Sequence, residues 1–235
     1  MKKIIFTLAV AVALQACNKN KNADPITPPN NVATTAQTGL IDLLRSQYFD
    51  GTNMVTAGEN VTITFINYDS NSSTEVPAGN VSFNGTGLKF DGINYEDTTY
   101  AISYLPSTYT VSASGSGQID AFSTTFTQSF PSFTGDALLP ITVSKSVGFT
   151  VNLGSSIVNA SDTSTIHILN SSIKKIAPGQ TSVTFTPADL SGIMVANGYY
   201  FELNLCNRQT LSVNGKNYYV KNNLLFTKYN VDVTP

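Results

Sequence analysis

Val61-Thr62-Ile63-Thr64-Phe65 places two branched side chains and an aromatic ring on one face of an extended chain and two threonine hydroxyls on the other. Period two of this kind belongs to a pleated strand with one face buried, whereas a helix would scatter the same residues around its axis. Outward from this stretch, further strands are predicted at 80–83, 88–90, 99–104, 109–113 and 121–130. Turn clusters such as Val76-Pro77-Ala78-Gly79 and Asn84-Gly85-Thr86-Gly87 separate them. A second series covers 139–143, 148–153, 164–170, 181–186, 198–206, 208–213, 216–221 and 224–233. Asn214-Gly215 supplies the two positive-φ positions of a type I′ hairpin. Two short helical turns are predicted, at 39–45 and at 187–190, and neither alters an all-β class. Pro131-Ser132-Phe133-Thr134-Gly135-Asp136 interrupts the strands and leaves two blocks, 39–131 and 136–235, each the usual size of an antiparallel β-sandwich domain.

Charged residues make up 12 % of the 235 residues, against about 25 % in an average domain, and the formal net charge is −2. No basic block or stripe exists, which argues against a nucleic-acid partner. Of the two cysteines, Cys17 lies near the amino terminus and Cys206 within an apolar strand, so no disulfide framework is expected.

Lys2 and Lys3 precede an apolar stretch, Ile4 to Leu14, that is too short to span a bilayer as a folded anchor. Leu14-Gln15-Ala16-Cys17 then resembles the bacterial lipobox. That resemblance implies a signal peptide over 1–16, a diacylglyceryl thioether on Cys17, cleavage just before it and acylation of the new amino terminus. Two or three acyl chains suffice for stable anchoring. Residues 17–38, rich in Asn, Pro and Thr, are predicted to be a disordered tether, because they carry too little apolar surface to offset the cost of ordering. Asn18, where an aspartate would favour inner-membrane retention, points to the outer membrane. The acidic run of surface-exported Bacteroidetes lipoproteins is missing from 18–24, so both the periplasmic and the surface-facing side stay open.

The chain is similar to exported bacterial lipoproteins of uncharacterised function, Bacteroidetes-like, that pair two immunoglobulin-like sandwiches. The residues that carry the likeness are Pro77 to Gly85, Tyr109 to Gly117 with Ala121-Phe122-Ser123, and Ile141-Thr142-Val143 with Phe149-Thr150-Val151. The resemblance implies two antiparallel immunoglobulin-like β-sandwich domains in tandem after the tether, and no mechanism. The strand tryptophan and paired cysteines of antibody-type domains are missing.

Chemistry-bearing residues are sparse. The single histidine, His167, alternates with Ile166 and Ile168 and reads as a solvated strand residue; no Gly-x-Ser-x-Gly elbow accompanies it. Cys206 falls on the strand face opposite Tyr199, Phe201, Leu203 and Leu205, where it reads as a small unreactive side chain. Asp91, Asn94, Glu96 and Asp97 form the densest cluster of oxygen ligands and are the candidate Ca²⁺ loop, although their spacing departs from the EF-hand. The preferred reading of that cluster is a solvated acidic turn, and no zinc set and no phosphate-cradling loop is found, so no metal or other cofactor is expected. Tyr95, Tyr200 and Tyr219, set off the apolar faces or in loops, are the candidate ligand-binding aromatics. Asp97-Thr98-Thr99 resembles the Bacteroidetes O-glycosylation acceptor pattern, which makes Thr98 the candidate modified residue. The functional expectation is a lipid-anchored, non-catalytic binding or structural module of the cell envelope, with a glycan or an envelope protein as partner. The alternative is a carbohydrate-active enzyme using a carboxylate pair.

Overall fold

The computed structural model describes residues 37–49, 53–69, 72–169 and 171–235, and strand is nearly their only regular structure. The expected signal peptide, Cys17 and all but the last two residues of the expected tether lie outside these residues. In chain order the strands are β1 Gln37–Phe49, β2 Met54–Asp69, β3 Ser72–Glu75, β4 Val81–Phe83, β5 Thr86–Phe90, β6 Tyr95–Glu96, β7 Thr108–Ala113 and β8 Phe122–Thr127. They continue with β9 Ser132–Phe133, β10 Thr142–Ser144, β11 Phe149–Asn152, β12 Ile157–Val158, β13 Ser164–Ile168, β14 Lys174–Ile176, β15 Ser182–Phe185, β16 Ala196–Val213 and β17 Lys216–Thr234. A three-residue 3₁₀ turn, Asp136–Leu138, follows β9.

The class is all-β, and most ladders are antiparallel. The main sheet runs β14-β13-β16-β17-β1-β2-β6-β5-β4-β7-β8, with β3 on β2 and β10 on β17; β11-β15 and β9-β12 form two small sheets. Two ladders are parallel, β1 with β17 over most of its length and β10 with the end of β17. The first and last described strands can pair this way because a long chain, rather than a hairpin, connects them.

The turn at Asn214-Gly215 adopts the expected hand, with φ of 53° and 74°. Beyond it, β16 and β17 each run unbroken for 18 and 19 residues where the alternation suggested two shorter strands apiece. At ~3.3 Å per residue the hairpin is about 60 Å long. It therefore serves two hydrophobic clusters. The first contains Ile41, Leu43, Val61, Ile63, Phe65, Phe83, Tyr109, Val111 and Phe126, with Val213, Tyr218 and Val220 from the hairpin tip. The second contains Phe133, Val151, Ile166, Ile168 and Phe185, with Phe201, Leu203, Leu205, Leu224, Phe226 and Val231 from the hairpin base. The short strands change cluster between Phe130 and Phe133, while the hairpin passes through both.

A polar waist separates the clusters. Along β17 the inward series Tyr218, Val220 and Leu224, Phe226 is interrupted by Asn222, which is fully buried. Asn222 Nδ2 donates to Gln128 O at 2.7 Å, and its Oδ1 accepts from the Tyr109 hydroxyl at 3.3 Å. Gln128 Nε2 donates to Asn207 O and Asn207 Nδ2 to Ser129 O. On β1, Arg45 follows Ile41 and Leu43 and pairs with Glu59 of β2 at 2.6 Å. Buried polar atoms need such partners, and here β2, β7 and the segment after β8 supply most of them; Gln128 Oε1 is buried without one.

Three local expectations change or sharpen. Residues 39–45 form part of β1 rather than a helix, because Ile41 and Leu43 alternate into the first cluster between β2 and β17. Gly39 makes that close approach possible, since a Cβ there would lie 2.9 Å from Thr64 O and 3.0 Å from the Tyr218 ring. Residues 99–104 are irregular rather than a strand: the Asp97 carboxylate gathers the N–H groups of Thr99 and Ile102, and Tyr100 sits at φ 56°. The turn at 187–190 is present as successive i→i+3 bonds from Asp189 to Thr186, Leu190 to Pro187 and Ser191 to Ala188.

Candidate functional site

The candidate Ca²⁺ loop spends its oxygens on its own backbone. Asp91 Oδ1 accepts from the N–H groups of Asn94 and Ile93 at 2.7 and 2.8 Å, which holds this carboxyl below the usual range. Burial would raise Asp97, but the N–H of Ile102 and the hydroxyl and N–H of Thr99 outweigh it and keep the group low. Glu96, between them on β6, is pushed upward by burial and by the Asp91 charge. Asn94 Oδ1 accepts from Thr64 Oγ1 at 2.5 Å. The cluster is thus a pair of self-capping turns flanking a two-residue strand, and among the described residues no group of three or more His, Cys, Asp or Glu stands close enough to hold a metal ion.

Tyr95 is a core residue, not an exposed ring. It is buried, its hydroxyl donates to Gly79 O at 2.9 Å and accepts from Ala78 N–H at 2.7 Å, and its ring lies 4.9 Å from Phe90 and 5.8 Å from Phe65. Strand β6 inserts between β2 and β5 and turns the ring inward, which the loop-like sequence around it concealed. Thr98, just after β6, is exposed in a turn.

Tyr200 and Tyr219 lie where expected, on the face of the main sheet away from the cores, but toward opposite ends of it. Tyr219 sits under the Arg208 guanidinium at 5.6 Å, and Arg208 Nε pairs with Asp162 at 3.1 Å. Tyr200 stands 6.0 Å from Tyr229, which in turn stands 6.1 Å from Tyr48. Beside these three rings, β13, β16, β17 and β1 align His167, Glu202, Thr227 and Tyr48 as consecutive cross-strand partners. All six residues are partly buried. His167 is therefore half-buried rather than freely solvated, and burial pushes its imidazole down; burial likewise pushes the Glu202 carboxyl up. The Tyr200 hydroxyl is raised by burial, then by the charges of Glu202 and Tyr229. Sequence reading met His167, Glu202 and Tyr200 separately; Tyr48 and Tyr229 were missed because parallel pairing of β1 with β17 leaves no local signal.

On the same face Cys206 is buried and its thiol is pushed up to about 12, chiefly by burial, in keeping with an inert side chain. Next to it along β16, Asn204 Oδ1 is buried without a hydrogen-bond partner. A separate cleft of about 330 Å³ is lined by Ile157, Asn159, Asp162, Pro178, Gln180 and Asn207. Its polar groups are engaged locally: Asp162 with Arg208 and Thr163 N–H, Gln180 with Ala177 N–H and Ser182 O, and Asn207 with Ser161. The tyrosine row is a separate surface, built of partly buried aromatic and polar side chains on the outer face of the main sheet. Compared with known proteins, the chain matches no family model, no curated protein and no solved structure.

Proposed function

We propose that the chain is an exported lipoprotein, held on the outer membrane through Cys17, whose folded part is a non-catalytic binding or structural module of the cell envelope. The leader and lipobox motivate the anchor, and the change of core between Phe130 and Phe133 supports reading the folded part as two immunoglobulin-like sandwiches in tandem. The observation that carries the binding role is the rigid row of Tyr48, Tyr200, Tyr229, Glu202, His167 and Thr227, fixed on the strands of one continuous sheet. Amphipathic rings on a rigid frame provide contact area at low entropic cost.

A second reading, a carbohydrate-active enzyme, is favoured by one observation: Glu96 is raised and neighbouring Asp91 lowered, the split that an acid and its partner carboxylate require. Against it, Asp91 Oδ1 already accepts two backbone N–H groups. Detergent-extracted native protein is to be screened for envelope ligands and glycans while release of reducing sugar is followed in parallel. Binding without turnover supports the module; hydrolysis abolished by Glu96→Gln establishes the enzyme. For the anchor, Cys17→Ser abolishes fatty-acid labelling and membrane retention; labelling that persists in this variant refutes it.

A further inference from the structure

The row on the outer face is chemically specific. His167, Glu202, Thr227 and Tyr48 lie on four adjacent strands, so their side chains stand roughly 5 Å apart across the sheet. Tyr200 and Tyr229 extend the row along β16 and β17. The interplanar angles, 59° for Tyr200 with Tyr229 and 69° for Tyr48 with Tyr229, show that the rings are tilted rather than stacked on one another. No pair is stacked face to face: Tyr48 and Tyr229 meet edge to face and Tyr200 and Tyr229 are tilted, so the three rings make a stepped aromatic surface.

The charge balance narrows the ligand. The row holds one carboxyl and no cation; the nearest basic residue on this face, Lys175, is paired with Thr165 at the sheet margin, and Lys221 and Arg208 lie further down β17 and β16. An anion finds no partner here, while an apolar ligand would bury the carboxyl and imidazole unsatisfied. Glu202 and His167 face each other across β16 and β13, and both carry hydrogen-bonding atoms on the row. Asn204 Oδ1, the next outward group on β16, is a buried acceptor without a partner. Partly buried rings beside hydrogen-bonding side chains at strand spacing match a ring that is apolar on its faces and hydroxylated at its rim.

We propose that this row is a binding site for a neutral saccharide, the sugar rings stacking on Tyr200 and Tyr229 with Tyr48 as the side wall, and their hydroxyls hydrogen-bonding to Glu202, His167 and Thr227. The inference rests on the binding-module reading and names its ligand class. The test is calorimetric titration of the full-length, detergent-extracted protein with maltohexaose, cellohexaose and mannohexaose, with polygalacturonate as the anionic comparison. At least one neutral oligosaccharide binds; Tyr200→Ala and Tyr229→Ala each weaken it about tenfold. Tyr229→Phe keeps the ring and most of the affinity, and Tyr219→Ala, at the far end of the face, changes nothing. Circular dichroism and thermal melts confirm that each variant is folded. No binding of any neutral oligosaccharide overturns the inference, as does binding that survives the folded Tyr200→Ala/Tyr229→Ala double variant. Capture of an envelope polypeptide through these tyrosines, with no saccharide bound, overturns the ligand class but leaves the binding-module reading standing; sugar hydrolysis overturns that reading instead.

Discussion

Arg45→Ala tests the waist of the molecule. The Arg45 guanidinium donates from Nε to Glu59 Oε1 and from Nη2 to Leu105 O, both at 2.6 Å, and lies 4.3 Å from the Phe130 ring centre. The Glu59 side chain is 3 % exposed, and its other oxygen accepts from Leu105 N–H. One arginine thus ties β1 and β2 to the irregular segment before β7. Truncation leaves a buried carboxylate without its cation, which costs about 3 kcal/mol, and removes a cation–π contact worth about 1 kcal/mol. Arg45 is itself 20 % exposed, so water entering the space relieves part of this, and a net loss of ~3 kcal/mol is expected. For a folded region of this size that lowers the melting temperature by about 6–12 °C. The assay is paired urea and thermal unfolding of wild type, Arg45→Ala, and Arg45→Ala with Glu59→Gln. Removing the orphaned charge recovers roughly 1 kcal/mol or more, because a neutral amide costs less to bury than an ion. A single variant within about 0.5 kcal/mol of wild type, or a double variant less stable than the single, refutes the reasoning.

Three further outcomes follow from the same structure. In the Cys17→Ser protein the Cys206 thiol, raised to about 12, reacts with a disulfide reagent at pH 8 only after denaturant is added; rapid labelling of the folded protein contradicts its burial. Asp189 is held at about 2 by the Lys174 ammonium and by the N–H and hydroxyl of Thr186, so its contribution to stability is present above its ordinary value of 3.8 and is lost as pH falls through about 2. Asp189→Asn therefore flattens the acid limb of the stability curve in that window, and an unchanged limb disproves the linkage. Thr98 is exposed, and if it is the O-glycosylation acceptor that Asp97-Thr98-Thr99 resembles, the intact masses of native wild type and Thr98→Ala differ by far more than the side-chain change; a difference of the side chain alone removes the modification.

Period-two alternation was sufficient for the strand class wherever a strand has one apolar face. Tyr199, Phe201, Leu203 and Leu205 are buried as their spacing required, and Asn214-Gly215 turns as its chemistry required. Alternation failed at 39–45, where Leu40, Ile41, Leu43 and Leu44 fit a helical turn as well as a strand, and only the slot between β2 and β17 chose. It failed again at 99–104, where the Asp97 carboxylate, not a ladder, takes the N–H groups of Thr99 and Ile102. The polar residues that divide the two cores are visible as interruptions, Arg45 after Leu43 and Asn222 between Val220 and Leu224, yet their meaning depends on Glu59 from the adjacent β2 and on Gln128 and Tyr109 from far along the chain.

The candidate site divides in the same way. Sequence alone determined that Tyr200 and Glu202 point away from the core and that His167 shares the outward face of its own strand, because side-chain direction along a strand is a local property. It also limited the catalytic chemistry, since one histidine and 15 acidic side chains exist to be arranged. Only the tertiary structure decided that Tyr95 is core, that the oxygens of the Asp91–Asp97 loop are spent on backbone N–H groups, and that His167, Glu202, Thr227 and Tyr48 form one row. The order and register of strands far apart in the chain depend on the fit of whole faces, and that fit is a sum over many residues that no local pattern contains.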